Sequence, residues 1–231
     1  FFLYASHLVN GRVDHQNIYP DWVVNQGSAD LKALLSEAVD SGDIQKVLED
    51  LTPRYPRYVK LKEKLIEYWA IAEGGGWPHV PDGPKLLKGS RGARVAILRQ
   101  RLITSGDLVS MAQEDTVVFD QDVEIAVRKF QKRHGLKDDG RVGKSTLKVI
   151  NVPLETRIRQ IALNMDRLRW LSYDIGQNHI FVNIADFSLE VMEDEKPVMS
   201  MRIIAGKDEQ RSCVLSAKMT YMELNPFWRV P

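Results

Sequence analysis

The sequence predicts a mainly α-helical protein with a β-rich portion at its C-terminus, an α+β arrangement. Apolar residues recur at helical spacing through most of residues 1–171, and from residue 179 onward their period shortens to that of strands. Gly/Pro-rich breaks interrupt the helical stretches. We therefore expect three parts: residues 1–80, residues 81–153 and residues 154–231.

The bulk composition is that of a globular protein, with 44% hydrophobic and 27% charged residues. A formal net charge of +1 provides no strong field for nucleic acid, so no nucleic-acid partner is predicted. No apolar run approaches the roughly 18 residues that span a bilayer. The opening FFLYASHLVNGRVDH lacks a basic start and is interrupted by His7 and Asn10, unlike a signal peptide. We expect the chain to begin inside a longer precursor.

Residues 1–80 predict helices in order. SADLKALLSEAVDSG begins at an N-cap candidate, Ser28, and reaches Gly42, which suits the end of a helix. DIQKVLEDLTP is a second, short helix stopped by Pro53. RYVKLKEKLIEYWAIAE is the strongest and ends at three successive glycines. Its apolar stripe consists of Leu61, Leu65, Tyr68, Trp69 and Ala72.

The next segment, residues 74–92, is dense in Gly and Pro and predicts an interdomain linker in which Trp77 packs onto a neighbouring domain. Three amphipathic helices follow, in RGARVAILRQRLITSGDL, DQDVEIAVRKFQKRHG and KSTLKVINVP. They end at Gly106, Gly135 and Pro153 respectively. Residues 86–152 are therefore expected to form a three-helix unit.

The C-terminal part opens with a long predicted helix, LETRIRQIALNMDRLRWL. HIFVNIADFSLEVMED and KPVMSMRIIAGK then alternate as strands around an acidic turn, residues 193–195, and predict a hairpin or meander. KMTYMELNPFWRVP predicts one further strand. Such strands would leave an uncovered edge and apolar face, so we expect either a continuation of the native chain beyond Pro231 or self-association through the strands.

The string FQKRHGLKDDGRVGKST joins a helix end, a turn and a helix start. Leu136 is expected to fold back as an apolar plug, and Asp139-Gly140 to form a tight turn, because Gly tolerates positive φ and Asp bonds nearby backbone. The following helix would be capped at Ser145 or beside Lys144. Any one of these residues is explained equally well as part of a structural turn.

The complete string is more specific than its members. Phe130-Gln131, His134-Gly135-Leu136, Asp139-Gly140, Val142-Gly143 and Thr146 stand in the order and spacing of the small peptidoglycan-binding repeat, which this part of the chain resembles. The resemblance implies a shallow groove between helices that binds wall glycan or stem peptide. Phe130, Leu136 and Val142 are expected in the core. The candidate ligand contacts are Gln131, His134, Asp139 and Arg141.

The C-terminal part resembles the opening half of the YkuD-type catalytic domain of large, multidomain periplasmic L,D-transpeptidases. NHIFVNIADFSLEVMEDEKPVMSMRIIAGK follows the first strands, and residues 216–231 match the stretch that leads towards the active site. ETRIRQIALNMDRLRWL and AIAEGGGWPHVP also resemble the large members. The likeness runs from about Tyr55 to Pro231, with a helical scaffold domain expected before it.

This resemblance implies acyl transfer by a cysteine thiolate, with a histidine base and backbone N–H groups that stabilise the oxyanion. The family places these groups in a Ser-His-Gly-Cys type motif, which the 231 residues do not contain. Cys213 is not expected to replace the nucleophile, because its position is commonly proline in the family; a half-buried, inert thiol is expected. No catalytic residue is predicted. Tyr221, Asn225 and Trp228 are candidates for a cleft wall, with core packing as the alternative.

We therefore predict a peptidoglycan-binding fragment of an exported L,D-transpeptidase, inactive by itself and located in the periplasm or cell envelope. No cofactor and no metal are predicted; His134, for example, has no second ligand at helical spacing. The first alternative is a non-catalytic peptidoglycan-binding protein with a degenerate catalytic domain. A wall hydrolase that shares only the repeat, or a generic helical interaction protein, explains the order of the two signatures less well.

Overall fold

The computed structural model describes residues 1–18, 22, 29–109, 116–171, 175–194, 196–207 and 209–224. Within them the chain forms eight α-helices followed by one three-stranded sheet, so the predicted fold class is confirmed. The helices are α1 Phe2–Asn10, α2 Leu31–Ser41, α3 Ile44–Asp50, α4 Pro56–Glu73, α5 Ala93–Thr104, α6 Gln121–Arg133, α7 Lys144–Ile150 and α8 Leu154–Arg169. The strands are β1 His179–Asn183, β2 Ser188–Glu193 and β3 Lys196–Arg202.

The contacts divide the chain into two compact units. Residues 1–62 and 163–231 form one, here called the terminal unit, and residues 63–162 form the other, the central unit. Both divisions fall inside helices, α4 and α8. The three-part division of the sequence at residues 80 and 153 stays a prediction.

In the terminal unit, α2 begins at Asp30, whose Oδ1 accepts hydrogen bonds from the backbone N–H groups of Lys32 (3.0 Å) and Ala33 (3.1 Å). The predicted cap, Ser28, lies outside the described residues. Gly42 ends α2 in the left-handed conformation, as predicted. A small apolar core joins α1, α2 and α3. Its members are Phe1, Ala5, Leu8, Val9, Leu31, Leu34, Leu48 and Leu51.

A buried polar network connects other parts of the same unit. Arg169 donates through Nη2 to the Tyr58 hydroxyl (2.7 Å) and through Nη1 to Oδ1 of Asp166 (3.3 Å). Asp166 is buried, and its Oδ1 also accepts from the backbone N–H of Arg12 (3.2 Å). Burial, followed by the neighbouring Tyr58, raises the pKa of Tyr55, whose hydroxyl donates to the Leu168 carbonyl. These hydrogen bonds connect the segment after α1, the start of α4 and the end of α8.

The sheet is an antiparallel meander in the order β1-β2-β3. Its register pairs Asn183 with Ser188 and Ser188 with Arg202, and a bulge lies between Val191 and Met192. Every residue of β3 is exposed. The predicted turn contains Asp194 at φ 48°, while Glu195 lies outside the described residues.

Three predictions are wrong, two of them in the C-terminal tail and one in α4. Residues 218–224 form no strand, so the predicted additional strand is absent from the described part of the tail. Cys213 is exposed, not half-buried; it lies in an irregular segment outside the sheet. Trp69 is 54% exposed and leaves the predicted stripe, since Leu65, Tyr68 and Ala72 already cover the buried face of α4.

The central unit contains the main apolar core, built by α5, α6 and α7 as the periodicity predicts. Asp120 caps α6: its Oδ1 accepts from the Val123 N–H (3.0 Å), and its other oxygen pairs with Arg99. Phe130 and Val142 are buried and Leu136 packs against them, all as predicted. The other buried members are Val80, Leu86, Val95, Leu98, Leu102, Phe119, Val123, Ala126, Val127, Leu147 and Ile150.

The predicted linker packs as part of this unit. Val80 is fully buried, and its backbone exchanges two hydrogen bonds with the Asn151 side chain, at 2.9 and 2.8 Å. Leu86 and Val142 exchange backbone hydrogen bonds in an antiparallel bridge, at 3.2 and 2.9 Å. These long-range pairings pack part of the predicted interdomain linker against the residues just before and just after α7.

Gly140→Ala is expected to destabilise the protein more than Gly135→Ala. Both glycines have positive φ, 72° and 65°, so an L side chain is strained by about 1 kcal/mol at either position. A Cβ at position 140 would also lie 2.8 Å from Cγ of Glu124 and 3.0 Å from Nε of Arg128, whereas one at position 135 meets nothing within 4 Å. Urea unfolding measures both losses. Equal losses would contradict the close approach of the turn to α6.

Candidate functional site

The clearest cleft among the predicted ligand residues lies in the central unit, where the end of α6, the turn after it and the start of α7 meet. Its volume is about 230 Å³. Three of the four predicted contacts line it, namely Gln131, Asp139 and Arg141. We call it the turn cleft. The remaining lining residues are Lys85, Leu136, Lys137, Gly143, Ser145 and Thr146.

Gln131 is a buried residue that connects the elements forming the turn cleft. It is 1% exposed, although it is a polar side chain on α6. Its Nε2 lies within hydrogen-bond distance of Oδ1 of Asp139 (3.1 Å), the Arg141 carbonyl (2.9 Å) and Oγ1 of Thr146 (3.1 Å). Its Oε1 accepts from the Gly140 N–H at 2.9 Å. The amide is thus fully engaged within the fold, and it positions the turn and α7.

Asp139 forms the expected tight turn and supplies a carboxylate to the cleft. Its Oδ1 accepts from the Arg141 backbone N–H at 3.0 Å as well as from Gln131. The Arg141 backbone hydrogen bond, and after it the Gln131 side chain, lower the pKa of the Asp139 carboxyl. Asp139 is therefore ionised throughout the neutral range.

The rest of the lining is cationic and hydroxylic. Lys85, Lys137 and Arg141 surround the one carboxylate, and Ser145 and Thr146 add hydroxyl groups. Neither histidine nor cysteine is among these lining residues. What the lining offers is hydrogen bonding and charge, which suits binding of carboxylate, amide and hydroxyl groups. α7 begins after Gly143, a neighbour of Lys144, which caps it without a side-chain hydrogen bond; a cap beside Lys144 is therefore confirmed, and the alternative, Ser145, is wrong.

His134 lies apart from the turn cleft. Its ring stacks at a tilt on Phe130, with the centroids 4.2 Å apart. Burial lowers the pKa of His134 to about 4, and the charges of Arg133 and Arg157 act in the same direction. The imidazole is therefore neutral at neutral pH. Its role as a ligand contact stays a prediction.

The candidates in the C-terminal part do not come together in the described structure. Tyr221 is 80% exposed, whereas Asn225 and Trp228 lie outside the described residues. Among the described residues, no three His, Cys, Asp or Glu side chains converge as a metal site would require. Nor does any helix in the described ranges combine the length and apolar character needed to cross a membrane.

Two cleft residues escaped the sequence analysis, Lys85 and Lys137. Lys137 stands inside the repeat string, and its place between Leu136 and the tight turn was a usable signal. Lys85 belongs to the segment interpreted as a linker, and it reaches the cleft because the adjacent Leu86 pairs with Val142. A pairing between residues 56 positions apart has no local signal in the sequence.

Comparisons with known proteins identify similarities in three stretches of the chain. Residues 1–65 match a family model described as "Scaffold domain", and residues 91–150 match one described as "Putative peptidoglycan binding domain". A protein of Haemophilus influenzae named "Putative L,D-transpeptidase" is 35% identical over 78 residues. That stretch covers 33% of this chain and 16% of the relative. The chain thus carries a scaffold domain and a peptidoglycan-binding domain, with a distant and partial similarity to an L,D-transpeptidase.

Gln131→Leu is expected to lower the free energy of unfolding by about 2–6 kcal/mol. The apolar side chain leaves the buried Gly140 N–H and Thr146 hydroxyl without their partner, at about 1–3 kcal/mol each. Urea denaturation provides the measurement. Gln100→Leu, at an exposed position of α5, is the matched control and should change stability by less than about 0.5 kcal/mol. A Gln131→Leu protein as stable as the control would remove the amide from its structural role.

The depressed pKa of His134 predicts a loss of stability in mild acid. Because the folded pKa of about 4 lies below the usual value near 6.5, the unfolded chain binds more protons between these values. Stability is therefore complete above pH 6.5 and falls as the pH drops towards 4. Urea unfolding at pH 7 and pH 5 should show this fall in the native chain and a smaller one in His134→Gln. His79 is exposed, so His79→Gln should lose as much stability between pH 7 and pH 5 as the native chain does. Identical behaviour of the two variants would contradict the lowered pKa of His134.

Proposed function

We propose that the chain binds peptidoglycan through the turn cleft. The observation that supports this most directly is the meeting of Gln131, Asp139 and Arg141 around one cavity. They come from separate positions of the repeat string, and they lie inside the residues matched by the peptidoglycan-binding model. Within this trio, Gln131 positions the turn, while Asp139 and Arg141 face the ligand.

The chemistry of the cleft favours a stem peptide as the group recognised. Lys85, Lys137 and Arg141 suit peptide carboxylates, because charge-assisted hydrogen bonds to carboxylate are among the stronger polar contacts. Asp139 and the Ser145 hydroxyl suit amide N–H or ammonium groups. A volume of about 230 Å³ is below that of sites for drug-sized ligands, about 300 Å³ and more, so the cleft holds an end group instead of a whole stem.

For the larger context, we propose a protein of the cell envelope that acts as an L,D-transpeptidase. Support comes from the resemblance of residues 180–231 to the opening strands of such a catalytic domain and from the partial match to the relative named above. The acyl transfer would use a cysteine thiolate in a motif that the 231 residues do not contain. Within such an enzyme, this stretch of the chain binds the protein to the cell wall. Its exposed β3, with Val198 and Met201, is a surface for self-association.

Arg141→Ala is expected to weaken binding to purified sacculi about tenfold, the equivalent of one charge-assisted hydrogen bond of roughly 1.5 kcal/mol. Arg141 is exposed, and its contacts with Asp139 and Gln131 run through its backbone, so the turn survives the change. Co-sedimentation of the full chain with increasing amounts of sacculi measures the affinity.

Lys148→Ala is the matched control, because Lys148 is an exposed cation on α7 that does not line the cleft. It should bind sacculi as the native chain does. If the folded native chain stays entirely in the supernatant, peptidoglycan binding is refuted. If both variants lose affinity equally, binding depends on general charge and not on the turn cleft.

A further inference from the structure

The central unit holds a second concentration of charge that the turn cleft does not use. Arg101 of α5, Arg133 of α6 and Arg157 of α8, together the arginine cluster, come from three helices and are absent from the cleft lining. They gather around the aromatic rings of Tyr68 and Trp77, whose centroids lie 5.6 Å apart. The Arg101 guanidinium lies 3.7 Å from the centroid of Trp77, and Arg133 reaches the Tyr68 hydroxyl.

Arg101 is the innermost member and is incompletely satisfied. It is 2% exposed, and its Nε donates to the Ile150 carbonyl at 3.2 Å. Its Nη1 is buried without a hydrogen-bond partner among the described residues. Buried donors without partners are rare in folded proteins and cost about 1–3 kcal/mol, more when they are charged. Nη1 is thus a charged donor whose hydrogen-bonding capacity is unused within the described structure.

The surroundings do not balance the positive charge. Asp107 is the carboxylate that acts on this cluster, and its Oδ2 is shared between Nη2 of Arg133 and the Ser105 hydroxyl, each at 2.6 Å. Arg157 donates to neutral acceptors, the Val149 carbonyl (3.3 Å) and Oε1 of Gln160 (3.1 Å). Asp107 therefore offsets part of the charge of Arg101 and Arg133, while the described hydrogen bonds of Arg157 go to neutral groups.

The members of the arginine cluster also act on one another. Burial lowers the pKa of Arg101 to about 10; Tyr68 and Asp107 oppose this, and the smaller effects of Arg133 and Arg157 add to it, whereas Asp107 helps to raise the pKa of Arg133. Burial also lowers the pKa of Arg157, with Arg133 acting in the same direction. Like charges at such positions are held together at a cost in free energy that a bound anion would remove.

We propose that the arginine cluster binds an oxyanion, a carboxylate or phosphate group presented to Arg101, Arg133 and Arg157. Guanidinium groups match the geometry of both anions and donate to them in pairs. The stacking on Trp77 and the bond to Ile150 hold Arg101 in place before the ligand arrives, which reduces the entropy lost on binding. This site is separate from the turn cleft and does not depend on the function proposed for it.

The test is a calorimetric titration of the full chain, at low ionic strength, with inorganic phosphate in one arm and soluble muropeptides in the other. Saturable binding in at least one arm is expected, and Arg157→Gln should weaken it about tenfold. The matched control is Arg159→Gln, which removes an exposed arginine two positions along α8 and should bind as the native chain does. No saturable binding in either arm, or equal losses in the two variants, overturns the proposal.

The two arms also identify the source of the anion. If muropeptides bind and their methyl esters do not, the ligand is a carboxylate of the cell wall. If phosphate alone binds, the ligand is a phosphate group. Arg141→Ala should leave the Arg157-dependent binding unchanged, so failure of the turn cleft and failure of the arginine cluster are distinguishable. Arg157→Lys tests the site even where Arg157→Gln does not fold. It retains the charge and should bind with intermediate affinity. Native affinity of a folded Arg157→Lys and Arg157→Gln alike would exclude the site.

Discussion

The turn cleft depends on one buried amide. Gln131 ties the end of α6 to the tight turn and to α7 through contacts with Asp139, Gly140, Arg141 and Thr146. A polar side chain removed from water is tolerated only when its hydrogen bonds are made, so the amide permits one arrangement of its partners. The turn cleft exists because that arrangement directs the remaining side chains outward. The shape of the turn cleft therefore depends on Gln131, a residue that is almost completely buried.

Charge is distributed unevenly around the same helix bundle. On one side the turn cleft mixes cations with the ionised Asp139. Elsewhere in the central unit the arginine cluster is concentrated around Tyr68 and Trp77, with Asp107 as its counter-charge. A net charge of +1 for the chain conceals both features, because exposed acids elsewhere cancel them in the sum. Local imbalance, and not net charge, is what a small anionic ligand meets.

Much of the fold follows from local rules that act within a few residues. Helix periods, and the stops at Gly42, Gly106 and Gly135, predict α2, α5 and α6, because backbone hydrogen bonding and left-handed glycine are local properties. The failures are of another kind. Trp69 has the right spacing for the buried face of α4 but lies outside it, and Val80 stands in a Gly/Pro-rich segment yet is fully buried. Which residues are covered depends on partners far away in the sequence.

The sequence by itself determined that the chain is mainly helical with strands near its C-terminus, that residues 118–151 resemble a peptidoglycan-binding repeat, and that Asp139-Gly140 turns the chain. Tertiary structure alone decided that Gln131 is structural, that Lys85 joins the cleft, and that Arg101 is buried on Trp77. The physical reason is the range of the interactions. Turns and helix ends are stabilised by neighbours in sequence, whereas burial and charge clustering arise only when distant segments pack together.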